Sequence, residues 1–301
     1  VRIGKHDIDI SNTDKVFFPD ADITKGDLIN YYSEIGKVML KHIKDRPLTM
    51  HRFPDGIEKE GFYQKDASDY FPGWIQTKTV EKEGGTVRHV VCNDISTLVY
   101  IANLGCITPH IWLSRIDNLH KPDRLIFDLD PADGGFEQVR KTAGYFRRIL
   151  ADELGLISYL MTTGSRGLHV VVPIKPELDF DDIREFARGV THVIASRYPD
   201  ELTTEIRKEK RGGRLFLDIA RNAYAQTAVA PYSVRAKPGA PVATPIGWDE
   251  LEGPDMNPRK YNTRNIFRRL SQKEDPWAEM SGHARSISKA NETIKGIKNG
   301  P

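Results

Sequence analysis

Leu125-Ile126-Phe127-Asp128-Leu129-Asp130 is the stretch on which the fold of this chain turns. Its apolar entry reads as a buried strand, and residues two apart on a strand share a face. Both carboxylates therefore point one way, while Leu129 points into the other layer. Carboxylates this close at the end of a buried strand repel each other unless a positive charge lies between them. A hard divalent cation, Mg²⁺ or Mn²⁺, would supply that charge. The plainer account makes both residues loop acids capping a helix that starts near Phe136. Asp-x-Asp is too common a pattern to choose between the two readings.

Working outward, strand and helix signals alternate. After the 124–129 strand come a helix at 136–153, a strand at 157–162, a turn at 163–167 and a strand at 168–174. A helix at about 180–198 and a strand at 214–220 follow. A crossover combined with a hairpin predicts an α+β fold with a mixed or antiparallel sheet flanked by helices. Towards the N-terminus, Thr24 and Asp27 form a capping-box pattern ahead of Leu28, Tyr31, Tyr32, Ile35, Val38 and Met39, which predicts a helix over 25–43. Residues 61–93 read as extended, with Gly84-Gly85 as a hairpin turn, and Asp94 caps a short helix that Gly105 ends. Another helix is predicted at 260–270. The expected organisation is one domain over 1–301, comprising a smaller N-terminal subregion (about 1–110), a catalytic core (about 111–275) and a basic tail (276–301).

With 301 residues, 39% hydrophobic and 29% charged, the chain has the composition of a globular protein with a real core. No apolar run reaches the length of a membrane span and no signal peptide is visible, so no membrane partner is expected. Cys92 and Cys106 match no zinc spacing and read as reduced, half-buried thiols of an intracellular protein. The net charge of +2 excludes a generic polyanion binder. Residues 207–214, however, hold five basic side chains against one acidic, which suggests local phosphate contacts or else a solvated loop.

Two further stretches share the character of the first. Thr163-Gly164-Ser165-Arg166-Gly167-Leu168-His169 joins a glycine turn to hydroxyls, a cation and an imidazole, all able to donate to phosphate oxygens. Leu215-Phe216-Leu217-Asp218 ends another apolar strand in a carboxylate. Three strand carboxylates with a phosphate-binding turn are the parts of a two-metal nucleotidyl-transfer site. Each part has a plainer reading: Asp218 paired with Arg221 or Arg214, His169 as a satisfied core histidine, the glycine turn as a tight hairpin.

In this order, Asp-Leu-Asp-Pro, Gly-Ser-Arg-Gly-Leu-His and Leu-Asp resemble the archaeo-eukaryotic primase superfamily. Within it, the chain resembles the primase-polymerase domain of ligase D from prokaryotic non-homologous end joining. The likeness extends through 12–19, Thr24-Lys25, 52–56, 62–65 and 231–235, nearly the whole chain. It implies a template-dependent polymerase that fills short gaps at broken DNA ends, often with ribonucleotides, using two divalent ions (Mn²⁺ or Mg²⁺) held by Asp128, Asp130 and Asp218. It assigns Thr163, Ser165, Arg166 and His169 to the triphosphate, with Arg where lysine is common, and His110, Arg235 and Arg52 to further nucleotide contacts. Asn12, Lys15 and Lys25 would grip a downstream 5′-phosphate, and Phe62 or Tyr63 would stack on a template base.

The hairpin around Gly84-Gly85, with Lys78, Lys82 and Arg88, resembles a loop that brings DNA ends together. Implied partners are gapped or 3′-overhanging DNA, NTPs or dNTPs, Ku and a DNA ligase, in the nucleoid-associated cytoplasm of a prokaryotic cell. Both a stand-alone polymerase and one domain of a longer protein agree with the likeness. A haloacid-dehalogenase-type phosphatase is disfavoured because Pro131-Ala132 follows the acids in place of Gly and a hydroxyl residue. A non-catalytic nucleic-acid-binding module leaves the carboxylates unexplained. A phosphate-loop motor lacks its Gly-x-x-x-x-Gly-Lys sequence.

Overall fold

The computed structural model describes residues 1–131 and 135–298. Ala132, which entered the argument against a phosphatase, and residues 299–301 of the basic tail lie outside the described residues. The fold is mixed α+β, and the chain divides into two compact units.

The first unit comprises residues 1–117, 227–244 and 261–274. Its main sheet runs in the order Thr227–Val229, Cys106–Trp112, Pro47–Arg52, Gly85–Val91, Thr77–Lys82, with Phe62–Gln64 also paired to Pro47–Arg52. Helix α1 spans Lys25–Ile43, and its start is fixed by a complete capping box between Thr24 and Asp27, worth about 1 kcal/mol. Leu28, Tyr31, Tyr32, Ile35 and Met39 are buried along one stripe of α1, as their spacing predicts. They share a core with Phe17, Leu98, Ile107 and Tyr232. Helix α2 (Ile95–Asn103) starts at Asp94, whose carboxylate accepts from Thr97 N at 2.8 Å. The Gly84-Gly85 hairpin forms with Lys82 opposite Gly85. Cys92 and Cys106 are fully buried rather than half-buried, and burial pushes both thiols well up, that of Cys106 to about 12.

The second unit comprises residues 118–226, 245–260 and 275–301. Its sheet runs Leu202–Thr203, Leu215–Asp218, Arg124–Asp130, Leu168–Pro173, Tyr159–Thr162, Thr244–Ile246. The two strands flanking Arg124–Asp130 are antiparallel to it, while Leu202–Thr203 pairs parallel to Leu215–Asp218. Helix α3 (Phe136–Arg148) buries Val139, Ala143 and Phe146, and the Phe146 ring lies 4.5 Å from that of Phe127. Helix α4 (Phe180–Arg197) is N-capped by Asp179.

Some boundaries differ from expectation for local reasons. The helix predicted over 136–153 ends as a regular helix at Arg148 and continues as a π turn over Ile149–Glu153, where Leu154 N bonds Ile149 O at 3.1 Å. The helix predicted at 260–270 begins only at Ile266. Before it, the Asn262 side chain accepts from Arg264 N and Asn265 N at 2.9 and 3.2 Å, an alternative to helical bonding. The basic tail contains a helix over Ser288–Lys298 with Ala290 and Ile294 buried, an apolar stripe that its charge obscures. Among the described residues, no helix is long and apolar enough to cross a membrane.

Candidate active site

Register aligns the acids. Asp128 pairs directly with Asp218 on one neighbouring strand and with His169 on the other, while Asp130 pairs with Phe216. Directly opposed residues share a face of the sheet, as do residues two apart, so all three carboxylates and His169 lie on one face. The 215–218 strand leaves the sheet just past Asp218. Beyond it the fully buried Asn222 takes over the ladder: its Oδ1 accepts from Ile126 N at 2.8 Å and its Nδ2 donates to Ile126 O at 2.7 Å.

The electrostatics are uneven. Asp128 is 7% exposed, with Oδ1 3.5 Å from His169 Nε2 and Oδ2 3.5 Å from Arg221 Nε. Burial alone would raise its carboxyl, but His169 and Arg221 outweigh it and hold the group below its ordinary value. Asp130 goes the other way, pushed up by burial and by the charge of Asp128, with Arg166 3.8 Å away as partial compensation. Asp218 Oδ1 accepts from Ala220 N at 2.7 Å, and Arg221, one candidate partner for Asp218, pairs with Asp128 instead.

Oxygen-only donors on one face suit a hard cation, and the raised Asp130 carboxyl is a repulsion that such an ion would relieve. Among the described residues, no three His, Cys, Asp or Glu side chains close into a ligand set. In this state Asp128 and Asp130 are turned to arginine side chains and Asp218 to a backbone amide. The residues thus fit a metal in chemistry and register, and side-chain rotation would complete its coordination.

The 163–167 turn closes through Thr163. Its Oγ1 accepts from Ser165 N at 3.3 Å and Gly167 N at 3.2 Å and donates to Gly167 O at 3.1 Å, so this hydroxyl shapes the turn. Gly167 has no room for a side chain: a Cβ there would lie 2.2 Å from Leu129 O and 2.3 Å from Asp130 Oδ1. Arg166 is exposed. Together with Asp128, Asp130, Pro131, Phe216 and Asp218, Arg166 lines a cleft of about 210 Å³. Lys208 and Arg211 line it too, which brings the basic 207–214 run to the acids. The Arg211 guanidinium lies 4.0 Å from the Phe216 ring centroid.

The remaining candidates lie in the first unit. Lys25 is 5% exposed and donates to Ser11 O at 2.6 Å, and burial and the charge of Lys15 hold its ammonium below its ordinary value. Lys15 pairs with Asp55. Asn12 is joined to this group, its carbonyl accepting from Lys15 N at 3.2 Å. The amides that open α1 are already committed: Lys25 N to Lys15 O at 2.8 Å, Gly26 N to Thr13 O at 2.9 Å and Asp27 N to Thr24 Oγ1 at 3.2 Å. An anion here would therefore meet lysine side chains rather than a bare helix end.

Phe62 and Tyr63 are 47% and 59% exposed on one short strand. Arg52 donates to Leu104 O at 2.9 Å and Gln64 Oε1 at 2.6 Å, with its guanidinium 5.3 Å from the Phe62 ring, so it braces the aromatic strand. Tyr63 stacks on His51, with ring centroids 4.1 Å apart, and His110 lies 5.7 Å from Tyr63. Burial, then the charges of Arg235 and Lys237, lower His51 to about 4. Of the hairpin cations, Lys82 is exposed while Lys78 and Arg88 are partly buried, and Arg88 is tied to Asp69 at 3.0 Å.

The sequence reading passed over His51, Asn222, Lys208 and Arg211 as individual residues. Only the charge density of 207–214 signalled the last two. His51 and Asn222 act through cross-strand neighbours that no spacing along the chain reveals.

The family model described as LigD, primase-polymerase domain, matches residues 24–277. The Mycolicibacterium smegmatis multifunctional non-homologous end joining protein LigD is 31% identical over 278 residues, covering 91% of this chain and 36% of that protein. Its Pseudomonas aeruginosa counterpart is 30% identical over 292 residues, covering 96% of this chain and 34% of that protein. The chain thus spans about a third of the length of these relatives. The polymerase domain of Mycobacterium tuberculosis ligase D, solved in complex with DNA, superposes with a TM-score of 0.86 at 29% identity, covering 92% of this chain and 99% of that one. Fold, motif order and likeness over most of its length converge: the chain belongs to the LigD primase-polymerase domain family.

Proposed function

We propose that this protein is a template-dependent nucleotidyltransferase that fills short gaps at double-strand-break ends during non-homologous end joining. The observation that carries the reading is the register of Asp128 against Asp218, with Asp130 on the same face, in a cleft also lined by Arg166, Lys208 and Arg211. Acids and cations sharing one cleft suit a substrate bringing both a metal and a polyphosphate.

Two divalent ions, Mn²⁺ or Mg²⁺, held by Asp128, Asp130 and Asp218, would lower the pKa of the attacking 3′-hydroxyl and stabilise the pyrophosphate that leaves. The protein's own part is to hold and orient. Asn222 fixes the strand that carries Asp128, and Arg221 and His169 keep Asp128 ionised. Thr163 shapes the turn from which Ser165 and Arg166 reach the triphosphate, with His169 beside them. His110 and Arg235 would contact the nucleotide, with Arg52 bracing Phe62 for stacking on the template base, a contact worth about 1–3 kcal/mol. Asn12, Lys15 and Lys25 would recognise the 5′-phosphate downstream of the gap, and the 77–91 hairpin would help bring ends together. The reading extends to ribonucleotide preference, to Ku and a DNA ligase as partners, and to work on the nucleoid of a prokaryotic cell.

Primer extension on a gapped duplex tests it, with and without the downstream 5′-phosphate and with NTPs or dNTPs. The expected result is metal-dependent insertion that the 5′-phosphate stimulates and that ribonucleotides support at least as well. Intact DNA binding without extension in either metal would replace the polymerase reading with a binding module.

A further inference from the structure

The 163–167 turn is held from outside its own strands by one residue that neither the motif nor the cleft includes. Arg259 Nε donates to Ser165 O at 2.9 Å, across 94 positions of sequence. The arginine is anchored at its root, because its backbone N–H donates to Asn257 Oδ1 at 2.9 Å. The loop carrying it is tied to α3, with Arg140 Nη2 donating to Gly253 O and Met256 O, each at 3.3 Å. Among the described residues, the Nη groups of Arg259 make no bond. Arg259 is exposed.

A planar guanidinium whose Nε is fixed keeps its Nη donors in a defined fork, the geometry that matches phosphate oxygens. Here the fork is fixed to the carbonyl of the turn's own serine. We infer that Arg259 is a further triphosphate-binding residue: its Nε holds Ser165 in place and its Nη donors bind the terminal phosphates of the incoming nucleotide. The assignment rests on the polymerase reading and adds a contact from outside the turn. It also accounts for the turn's bracing: a mostly buried turn that exposes Arg166 gains a second, pre-oriented cation without lengthening.

The test uses the full chain and reads phosphate binding apart from catalysis. Inorganic tripolyphosphate carries no base or sugar, and calorimetry measures its binding directly. Arg259→Ala should weaken tripolyphosphate binding about 5- to 20-fold and raise KM for the nucleotide similarly, with kcat within about twofold and affinity for gapped DNA unchanged. Arg259→Lys, which keeps one donor and the charge, should fall between. Tripolyphosphate binding and KM equal to wild type in Arg259→Ala would overturn the assignment while the polymerase reading stands. An equal loss of tripolyphosphate and DNA binding together with a lowered thermal midpoint would make Arg259 a strut and overturn it too. Wild-type protein that neither binds tripolyphosphate nor extends a primer would remove the assignment and the reading together.

Discussion

Like charges are packed together in both units, and they are held in opposite ways. In the second unit, Asp128, Asp130 and Asp218 sit on strands whose register fixes their separation, and each carboxylate has a cation or an amide turned to it. In the first, Lys15 and Lys25 lie on a turn and a helix start, where neutral oxygens and Asp55 surround their flexible stems. The difference teaches what each cluster is suited to recognise. Strands fix the backbone positions from which short carboxylate side chains reach, which suits the narrow distances of metal coordination. Lysines are point charges on long stems and tolerate variation in the position of a phosphate. One cluster is built for geometry and the other for charge.

The largest expected effect would break the geometric side. Asp218→Ala or Asp128→Ala should lower extension by more than about 100-fold while DNA binding survives. Normal extension by Asp218→Ala, measured on the gapped duplex, would refute the three-carboxylate site. Gly167→Ala should cost about 1–3 kcal/mol of stability, because its Cβ would meet Leu129 O and Asp130 Oδ1 at 2.2 and 2.3 Å. Urea unfolding measures this, and an unchanged midpoint would mean the turn moves freely against the strand.

The charge side should respond more gently. Lys25→Ala should cut the advantage conferred by a 5′-phosphate roughly 10-fold. Equal loss on phosphorylated and unphosphorylated gaps would remove Lys25 from phosphate recognition. Smallest is an effect of pH on the aromatic face between the clusters in sequence. His51 is lowered to about 4 by burial and neighbouring cations, against an ordinary value of 6.5. The unfolded chain therefore binds more protons than the folded one, so this contribution is complete above about 6.5 and is lost as pH falls towards 4. His51→Phe should flatten the decline in unfolding midpoint between pH 7 and pH 5, and an unchanged slope would assign that decline to other groups.

Much of the fold was legible because local signals agreed. The Thr24 capping box, the α1 stripe, the Gly84-Gly85 turn and the Asp94 cap all appear where residue spacing put them. The order of elements likewise predicted the mixed sheet. Spacing failed where a side chain intervened, as when Asn262 delayed a helix to Ile266. For the candidate site, sequence could name Asp128 and Asp218 but not that they face each other. It weighed Arg221 against Asp218, yet the turn at 220–222 carries that arginine to Asp128. Such partners are chosen by register and by where a strand stops, and neither is written in the residues on either side.

Asn222 has a consequence of another kind. A sheet normally closes through backbone groups that every residue carries, so substitution there is tolerated by the ladder itself. Beside Asp128 the closure belongs to one amide, whose two ends are chemically different. Asn222→Asp keeps the shape yet sets an oxygen against Ile126 O, turning an attraction into a repulsion. A difference of one atom type, with no change in volume, would thus decide whether the strand beneath the acids keeps its neighbour.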